Sequence, residues 1–430
     1  MSIYPGDILF LSCYIHFQTL FTFHGMGVFN MGGYRPARLA FYSHDTMGLG
    51  HIRRNMLLAN AVLKSRPDTE ILLINGVRES GVFHFPKGMD SVTLPTYLKT
   101  PAGEYLPHSL GSDIRRLVAL RVSIIHAALK SFRPDVVVVD NVPRGAMSEL
   151  DSVLPMLVEE NAHLVLGLRD IIDEPQAVQR QWQKLDNARA IRDYYSNVWV
   201  YGDASFYDLT QAYGLDHEVC RKVSFMGYLD ATHHAQQPQS ADSLFAELNG
   251  PYVLCTVGGG QDGFRLASSF AQSSFPAGVT GILITGTMMP TAEFEMLQKI
   301  AATRADLRVI RFVPNPLALL RQAHSVVAMG GYNTTIEILS LNKRALIIPR
   351  VAPRQEQWIR ASHLAKNNLV SCIHPDELNV QVLNRWMASE WQPDNPRQHM
   401  SLNGLYTFTE KMNALLTQKS QTAASVQCEV

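Results

Sequence analysis

Three glycine-rich segments carry most of the chemistry in this sequence. They are residues 43–51 (SHDTMGLGH), 257–263 (VGGGQDG) and 329–335 (MGGYNTT), and each follows a short apolar run. Glycine lets backbone N–H groups approach a ligand closely, and the N-terminus of a following helix favours negative charge. Each segment alone could be only a tight turn between a strand and a helix. Three in one chain indicate a phosphorylated ligand.

The third segment is followed by residues that suit a nucleotide. Thr334 and Thr335 come after Gly330 and Gly331, and their hydroxyls could cap a helix or bind phosphate. Glu337 stands two residues further on. A carboxylate beside a phosphate loop would repel the ligand unless it binds hydroxyl groups. The 2′,3′-diol of a ribose is the obvious partner.

A polar turn follows the next apolar run, residues 345–348. It contains Arg354, Gln355 and Gln357. The guanidinium of arginine suits phosphate, and a glutamine amide both donates to and accepts from sugar hydroxyls. The turn could also be a solvated helix start, but its position after the third glycine-rich segment favours a sugar-phosphate site.

Motifs of other nucleotide-binding proteins are absent or incomplete. Gly258, Gly260 and Gly263 fit the dinucleotide pattern GxGxxG, but the next predicted strand ends without Asp or Glu. The first segment has Arg53 where that pattern needs its third glycine. The sequence contains no Walker GxxxxGKS/T motif, which argues against ATP hydrolysis.

Composition indicates a globular protein with no general affinity for polyanions. Hydrophobic residues make up 46% and charged residues 18%, and Lys+Arg equals Asp+Glu at 38 each. This balance argues against a nucleic-acid partner. The five cysteines are scattered, without a CxxC pair, so we expect neither a disulfide framework nor a metal site, and a cytoplasmic location.

Short apolar strands alternate with helical patterns and position the glycine-rich segments. Strands are predicted at residues 39–42, 70–75, 134–140, 164–167 and 198–201, and again at 252–256, 281–285, 307–312, 325–329 and 345–348. Because these runs lack polar alternation, they favour parallel sheets covered on both faces. The predicted fold class is therefore α/β, with two units of similar size.

Composition shifts suggest where the units begin and end. We expect a poorly ordered extension at residues 1–36, a first domain at 37–232, a polar linker at 233–249 and a second domain at 250–400. For the extension, a start codon placed too far upstream or a membrane-touching helix are alternatives. A helix at residues 401–417 could cross back to the first domain, and residues 418–430 are predicted to be loose.

The block from Gly330 to Gln357 resembles the donor half of glycosyltransferase family 28. That family includes the bacterial transferase that adds N-acetylglucosamine to the peptidoglycan lipid precursor. The sequence is also similar to a branch of predicted bacterial glycosyltransferases, and the resemblance covers residues 38–369. It rests further on residues 48–51 (GLGH), 134–140 (PDVVVVD), 166–173 (LGLRDIID) and 257–263.

The resemblance implies the GT-B fold, in which two Rossmann-like domains face each other across a cleft. The donor would bind the C-terminal domain, with the nucleobase at Phe312 and Val313 and the ribose at Glu337. Gln355 and Gln357 would approach the donor sugar. The donor-side residues taken together are Gly259, Gly260, Phe312, Val313, Gly330, Gly331, Asn333, Thr334, Thr335, Glu337, Arg354, Gln355 and Gln357.

Sugar transfer needs a base for the acceptor hydroxyl and positive potential on the leaving diphosphate. His51, in an acceptor-side loop thinned to Gly48 and Gly50, is the first candidate base, although it could simply pack at a helix start. Asp45 is a rival base or the group that orients His51, and Asp170 is a third candidate. Helix N-termini and Arg354 would stabilise the diphosphate, and no metal-binding DxD motif occurs.

The sequence therefore predicts a glycosyltransferase of polysaccharide biosynthesis that uses no cofactor or metal. It would move a hexosyl or N-acetylhexosaminyl group from a nucleotide diphosphate sugar, expected to be UDP-linked, to an acceptor hydroxyl. Inversion at the anomeric carbon follows from the family resemblance. The sequence leaves the acceptor undecided between a sugar, a lipid-linked sugar and a small molecule. A lipid-linked acceptor would bring the protein into contact with the inner face of the membrane. A sugar-nucleotide epimerase and a non-catalytic donor-binding subunit are the alternatives.

Overall fold

The computed structural model describes residues 35–44, 48–78, 83–100, 104–111, 113–232, 250–313 and 315–428. Asp45, the predicted linker at residues 233–249 and all but the last two residues of the predicted extension lie outside the described residues. The described chain forms two α/β halves, each built on one parallel sheet.

The N-terminal half contains a seven-stranded parallel sheet and a short hairpin. The sheet strands are β1 (Arg38–Tyr42), β2 (Glu70–Asn75), β3 (Met89–Thr93), β6 (Val136–Asp140), β7 (His163–Arg169), β8 (Asn197–Tyr201) and β9 (Val223–Phe225). The antiparallel hairpin consists of β4 (Tyr97–Lys99) and β5 (Tyr105–Pro107). The strand order is β3-β2-β1-β6-β7-β8-β9.

The C-terminal half contains a six-stranded parallel sheet of order β12-β11-β10-β13-β14-β15. Its strands are β10 (Tyr252–Thr256), β11 (Thr280–Ile284), β12 (Leu307–Ile310), β13 (Ser325–Ala328), β14 (Ala345–Ile347) and β15 (Ser371–Cys372). The predicted α/β class is confirmed. The edge strands β3, β9 and β15 were not predicted from sequence, because they are only partly buried and lack a continuous apolar run.

Helices cover both sheets. Those of the N-terminal half are α1 (Gly50–Ser65), α2 (Ile114–Phe132), α3 (Val153–Glu159), α4 (Pro175–Lys184), α5 (Asn187–Tyr194), α6 (Leu209–Ala212) and α7 (His217–Cys220). Those that follow are α8 (Phe264–Ala271), α9 (Thr291–Ala302), α10 (Leu317–Gln322), α11 (Tyr332–Ser340), α12 (Glu356–Lys366), α13 (Val380–Met387) and α14 (Gly404–Cys428). Short 3₁₀ turns occupy Pro375–Glu377 and Pro396–Gln398.

In each sheet the strand order reverses beside the first strand. Strand β1 lies between β2 and β6, and β10 lies between β11 and β13. Loops on the two sides of such a reversal leave in opposite directions and open a crevice at the carboxyl ends of the strands. The register pairs Tyr42 with Val139 and Thr256 with Ala328. The loop after β1 therefore starts beside the end of β6, and the loop after β10 beside the loop after β13.

Helix α14 carries the end of the chain back onto the N-terminal sheet. The ring of Phe408 lies 6.5 Å from that of Phe41, 5.3 Å from that of Trp199 and 6.3 Å from that of Tyr201, measured between centroids. The helix runs to Cys428. The predicted loose tail at residues 418–430 begins within this helix, and residues 429 and 430 lie outside the described residues.

The chain passes between the halves at two places that lie side by side. Before the linker, Tyr228 N donates to Ser401 O over 2.9 Å, and its own carbonyl accepts from Gly404 N over 2.9 Å. Leu229 forms an isolated antiparallel bridge with Asn403. These contacts join the end of the N-terminal half to the segment that leads into α14.

Replacing Phe408 by Ala should lower the free energy of unfolding by about 3–5 kcal/mol, because it leaves a cavity among the rings of β1 and β8. Denaturant unfolding followed by circular dichroism measures the change. Tyr406→Ala on the same helix is the matched control, since that side chain is 68% exposed, and it should have little effect. Equal losses for the two variants would contradict the packing role of Phe408.

Candidate functional site

A cavity of about 630 Å³ lies between the carboxyl ends of the two sheets, with walls from both halves. The structure brings most of the predicted site residues into its wall. Those that line it are Gly48, Gly50, His51, Gly259, Gly260, Phe312, Val313, Gly330, Gly331, Asn333, Thr334, Arg354 and Gln357.

Four predicted site residues are not in the wall that the described residues form. Thr335 is 2% exposed and Glu337 is 7% exposed, both on the buried side of α11. Gln355 binds Asp173 through its backbone, the amide donating to Oδ1 over 2.8 Å. Asp170 is fully buried. The fifth such candidate, Asp45, lies outside the described residues.

His51 and Asp140 form a hydrogen-bonded pair beside the cavity. His51 stands in the first turn of α1, and its Nδ1 lies 2.7 Å from Oδ2 of Asp140 at the end of β6. Burial opposes ionisation of Asp140, but Arg54 and His51 outweigh it and hold the pKa of this carboxyl well below its usual range. An ionised carboxylate only accepts, so Nδ1 carries the proton and Nε2 keeps a lone pair.

Arg54 keeps the Asp140 carboxylate of this pair ionised. Its Nη2 donates to Oδ1 and Oδ2 of Asp140, at 2.6 Å each. The same nitrogen lies 3.0 Å from His51 Nδ1, a close contact and not a hydrogen bond, because that ring nitrogen already carries a proton. The guanidinium also faces Tyr201 and Tyr332, at 6.0 and 5.5 Å from the ring centroids. Arg54 is therefore held by both halves of the molecule.

A second histidine lies beside the pair. The ring of His44 is 5.1 Å from that of His51, and it also lines the cavity. Burial, helped by the proximity of His51, lowers the pKa of His44 well below its usual value. Its Nδ1 has no hydrogen-bond partner among the described residues. His44 is thus a neutral, incompletely paired ring on the N-terminal wall of the cavity.

Two glycine turns of the C-terminal half face this wall. Gly260 has φ +95° and Gly330 has φ +75°, and a side chain on either would collide with Thr285 O or Ile347 Cγ2. Of the described side chains, none caps the start of α11, and a Cβ on Gly331 would meet nothing within 4 Å. The first N–H groups of α11 therefore border open space, where a helix N-terminus attracts an anion.

Part of the cavity wall is apolar. Phe312, Val313, Pro316 and Leu320 line it together with side chains from β10 and β11. A flat ring would lose contact with water here, which suits a nucleobase.

Glu337 is covered by a residue from the other half. Its Oε1 accepts from Arg53 Nη2 over 2.8 Å, and its Oε2 is buried without a partner among the described residues. Burial raises the pKa of Glu337, and Arg53 partly offsets that rise. Arg53 lines the cavity, whereas Glu337 is not in the part of the wall that the structure describes.

Glu356, which sequence reasoning did not select, occupies the position expected for Gln355. Its carboxylate lies 2.5 Å from Arg169 Nη1 and 3.8 Å from Arg350 Nη2. Burial alone would raise the pKa of Glu356, but Arg169 and three further arginines lower it to about 2. Gln357 accepts from Arg350 N over 3.0 Å. The turn thus offers a carboxylate and one glutamine amide to the cavity.

The structure gives Asp170 a different role from that of a base. Arg360 of α12 donates to it from Nε and Nη2 at 3.0 and 2.7 Å, and Tyr228 adds a bond of 3.2 Å. Both carboxylate oxygens are therefore committed to a buried ion pair between the halves. The side chain of Asp170 does not reach the cavity, because it is completely buried.

Among the described residues, no cluster of three or more His, Cys, Asp or Glu side chains could hold a metal ion. The helices that the structure describes also include none with the length and apolar character needed to cross a membrane.

Comparison with known proteins adds relatives at low identity. No protein-family model matches the chain. An uncharacterized glycosyltransferase of Methanosarcina mazei is 21% identical over 321 residues, covering 70% of this chain and 77% of the relative. One from Methanosarcina acetivorans is 22% identical over 321 residues with the same coverage.

Solved structures share the architecture. The calicheamicin glycosyltransferase CalG4 matches with TM-score 0.55 and 14% identity over 89% of this chain and 99% of its own. MurG of Acinetobacter baumannii gives 0.53 and 12%, over 88% and 100%. UDP-GlcNAc 2-epimerase of Methanocaldococcus jannaschii gives 0.56 and 13%, over 89% and 100%. The fold is GT-B, the architecture that these glycosyltransferases and the epimerase share.

The ion pair at Glu356 should make stability depend on pH. Its folded-state pKa of about 2 lies below the ordinary 4.5, so its contribution is present above pH 4.5 and is lost as pH falls toward 2. Glu356→Gln should be less stable than the wild type at neutral pH, and the two should converge near pH 2. Urea unfolding across this range checks the convergence. Glu160→Gln, at an exposed position, should parallel the wild type; a constant gap for Glu356→Gln would contradict the argument.

Proposed function

We propose that this protein transfers a hexosyl or N-acetylhexosaminyl group from a UDP-linked donor to an acceptor hydroxyl. The observation that carries the proposal is one cavity with an oriented base on one wall and an uncapped helix N-terminus on the other. The base is His51 held by Asp140, and the helix is α11 behind Gly331.

The donor would lie along the C-terminal wall of the cavity, with its nucleobase at one end and its sugar at the other. The nucleobase would lie on Phe312 and Val313, and the diphosphate at the first turn of α11 and the turn of Gly259–Gly260. The sugar would then reach Glu356 and Gln357, whose oxygens suit hydroxyl groups. Both glycine turns and Arg354 would stabilise charge on the leaving diphosphate, so the proposed reaction needs no metal.

The reaction is a single displacement at the anomeric carbon. His51 Nε2 takes the proton of the acceptor hydroxyl as its oxygen bonds to the anomeric carbon, and the bond to the diphosphate breaks with its electron pair leaving on the phosphate oxygen. Asp140 stabilises the imidazolium that forms. The resemblance to glycosyltransferase family 28 implies that the acceptor attacks from the face opposite the diphosphate, which would invert the configuration.

An acceptor with an apolar part suits the N-terminal wall. Thr100 and Tyr105 of the hairpin region line the cavity. Leu98, Leu106 and Leu110 nearby are 38%, 44% and 48% exposed. These residues support a lipid-linked sugar as acceptor, presented at the inner face of the membrane in polysaccharide biosynthesis. The block from Gly330 to Gln357 supports a relation to glycosyltransferase family 28 of bacteria.

Two alternatives use the same donor wall. The likeness to a UDP-GlcNAc 2-epimerase supports an epimerase, which would isomerise a sugar nucleotide incubated without any acceptor. A non-catalytic donor-binding subunit would bind the nucleotide without turnover, and the His51–Asp140 pair argues against it because a subunit without catalysis needs no oriented base.

His51→Ala should lower turnover by about 10²–10⁴-fold through loss of the base, with nucleotide binding nearly intact. Asp140→Asn should also lose turnover, because the amide no longer stabilises the imidazolium. Steady-state kinetics with the donor that thermal-shift screening selects would measure both. His44→Ala is the matched control in the same cavity and should retain most activity. A larger loss in His44→Ala than in His51→Ala would reassign the base.

Glu337→Ala should weaken UDP binding by about 10–100-fold, since the ribose hydroxyls lose a charged acceptor. Isothermal calorimetry gives the dissociation constant, and adding excess EDTA should leave it unchanged. Glu70→Ala removes a comparable Arg–Glu pair at the other end of the sheet and serves as the control. UDP affinity that does not respond to Glu337→Ala would refute the ribose assignment, and strict Mg²⁺ dependence would count against the metal-free reaction.

A further inference from the structure

One ion pair joins the two halves behind the cavity wall. Arg53 belongs to α1 of the N-terminal half, and Glu337 belongs to α11 of the C-terminal half. Arg53 Nη2 donates to Glu337 Oε1 over 2.8 Å. The two side chains differ in exposure, 25% for Arg53 and 8% for Glu337, so the guanidinium stands on the cavity side of the pair.

Arg53 therefore closes access to the carboxylate. It lines the cavity, whereas Glu337 lies behind it in the described structure. The second oxygen, Oε2, is buried and has no partner among the described residues. A buried carboxylate oxygen without a hydrogen bond is costly. Two ribose hydroxyls could satisfy both oxygens, but only after the guanidinium has moved aside.

After leaving Glu337, Arg53 could bind the diphosphate in the same cavity. The start of α11 and the turn at Gly331 line the same cavity, and they are the proposed seat of the diphosphate. A guanidinium presents a planar fork of donors that matches phosphate oxygens. Arg53 would thus leave one anion, Glu337, for another that arrives with the ligand.

We propose that Arg53 exchanges partners during the reaction, binding Glu337 in the empty site and the diphosphate leaving group in the donor complex. This proposal rests on the proposed function, because it takes Glu337 as the ribose-binding group. Arg53 is then a catalytic residue that delivers positive charge to the leaving group only when a nucleotide occupies the cavity.

The exchange also links the donor to the base. Arg53 stands two residues after His51 in the first turn of α1. Asn333 Nδ2 donates to Gly50 O over 2.8 Å, which holds the start of α1 against α11 while Arg53 moves. The base therefore keeps its position as the nearby charge changes partner.

The test compares uridine, which carries the ribose alone, with UDP. In Arg53→Gln the cover over Glu337 is gone, so uridine should bind about three- to tenfold tighter than to the wild type. UDP loses its guanidinium partner, so the affinity gained from the diphosphate, given by the ratio of the two dissociation constants, should fall at least about tenfold. Turnover should fall with it. Arg53→Met should behave alike and provides a second neutral variant.

Arg38→Gln is the matched control. Arg38 pairs with Glu70 over 2.9 Å with a side-chain exposure of 27%, but it lies at the start of β1, at the other end of the sheet. It should change neither affinity. Uridine binding that is unchanged or weaker in both Arg53 variants would overturn the proposal, and so would an unchanged ratio of uridine to UDP dissociation constants.

Failure of the proposed function gives a different result. If Glu337→Ala leaves uridine binding unaltered, the ribose assignment falls and the exchange with it. If Glu337→Ala weakens uridine but the Arg53 variants do not tighten it, only the exchange falls. Should the wild type bind neither uridine nor UDP, guanosine and GDP decide the exchange in the same way, because Glu337 addresses the ribose and not the base.

Discussion

The buried carboxylate of Asp140 is the constraint on which the site depends. It ends the strand next to β1, at the point where the strand order reverses, and burying an ionised carboxylate is costly unless it is paired and hydrogen-bonded. Arg54 supplies the opposite charge and His51 Nδ1 the further hydrogen bond. The same pairing that makes the burial tolerable fixes the tautomer of His51.

That pairing reaches across the molecule. Arg54 also faces Tyr332 of the C-terminal half, and Tyr332 donates to Tyr201 O over 2.7 Å. Further polar contacts join the halves in the same region, including the pairs of Arg169 with Glu356 and Asp170 with Arg360. The wall that would hold the acceptor and the wall that would hold the donor are therefore positioned against each other by bonds, and not only by the connecting chain.

The sequence contained enough information for the fold and for most of the C-terminal wall of the cavity. Central strands such as β6 are continuous β-branched runs, so their type follows from local residues. The turn at Gly330–Gly331 is likewise local, since its glycines, threonines and helix start are adjacent. The edge strands β3, β9 and β15 and the hairpin escaped prediction, because many of their residues are partly exposed and only their neighbours define them.

The partners of the charged residues could not be predicted from the sequence. Asp140 lies 89 residues from His51, and Asp170 lies 190 residues from Arg360. The residues adjacent in sequence to Asp140 and Asp170 do not indicate that the first pairs with His51 and the second with Arg360. The parallel register of β1 and β6 was the one usable signal, because it places the end of β6 beside the loop that leads to His51. Glu356 was not selected from the sequence, and its ion pair with Arg169 of the other half is a long-range contact that no local pattern indicates.

The chain connects the two halves at two places, and the position of these connections limits how one half could rotate relative to the other. Tyr228 and Leu229 are bonded to Ser401, Asn403 and Gly404, so both connections meet at one joint. A rigid body that turns about one joint moves each point in proportion to its distance from the axis. Residues at the joint stay nearly still, and the rim of the cavity farthest from it makes the widest excursion. Any relative rotation of the halves about this joint would therefore widen the cavity most at that rim.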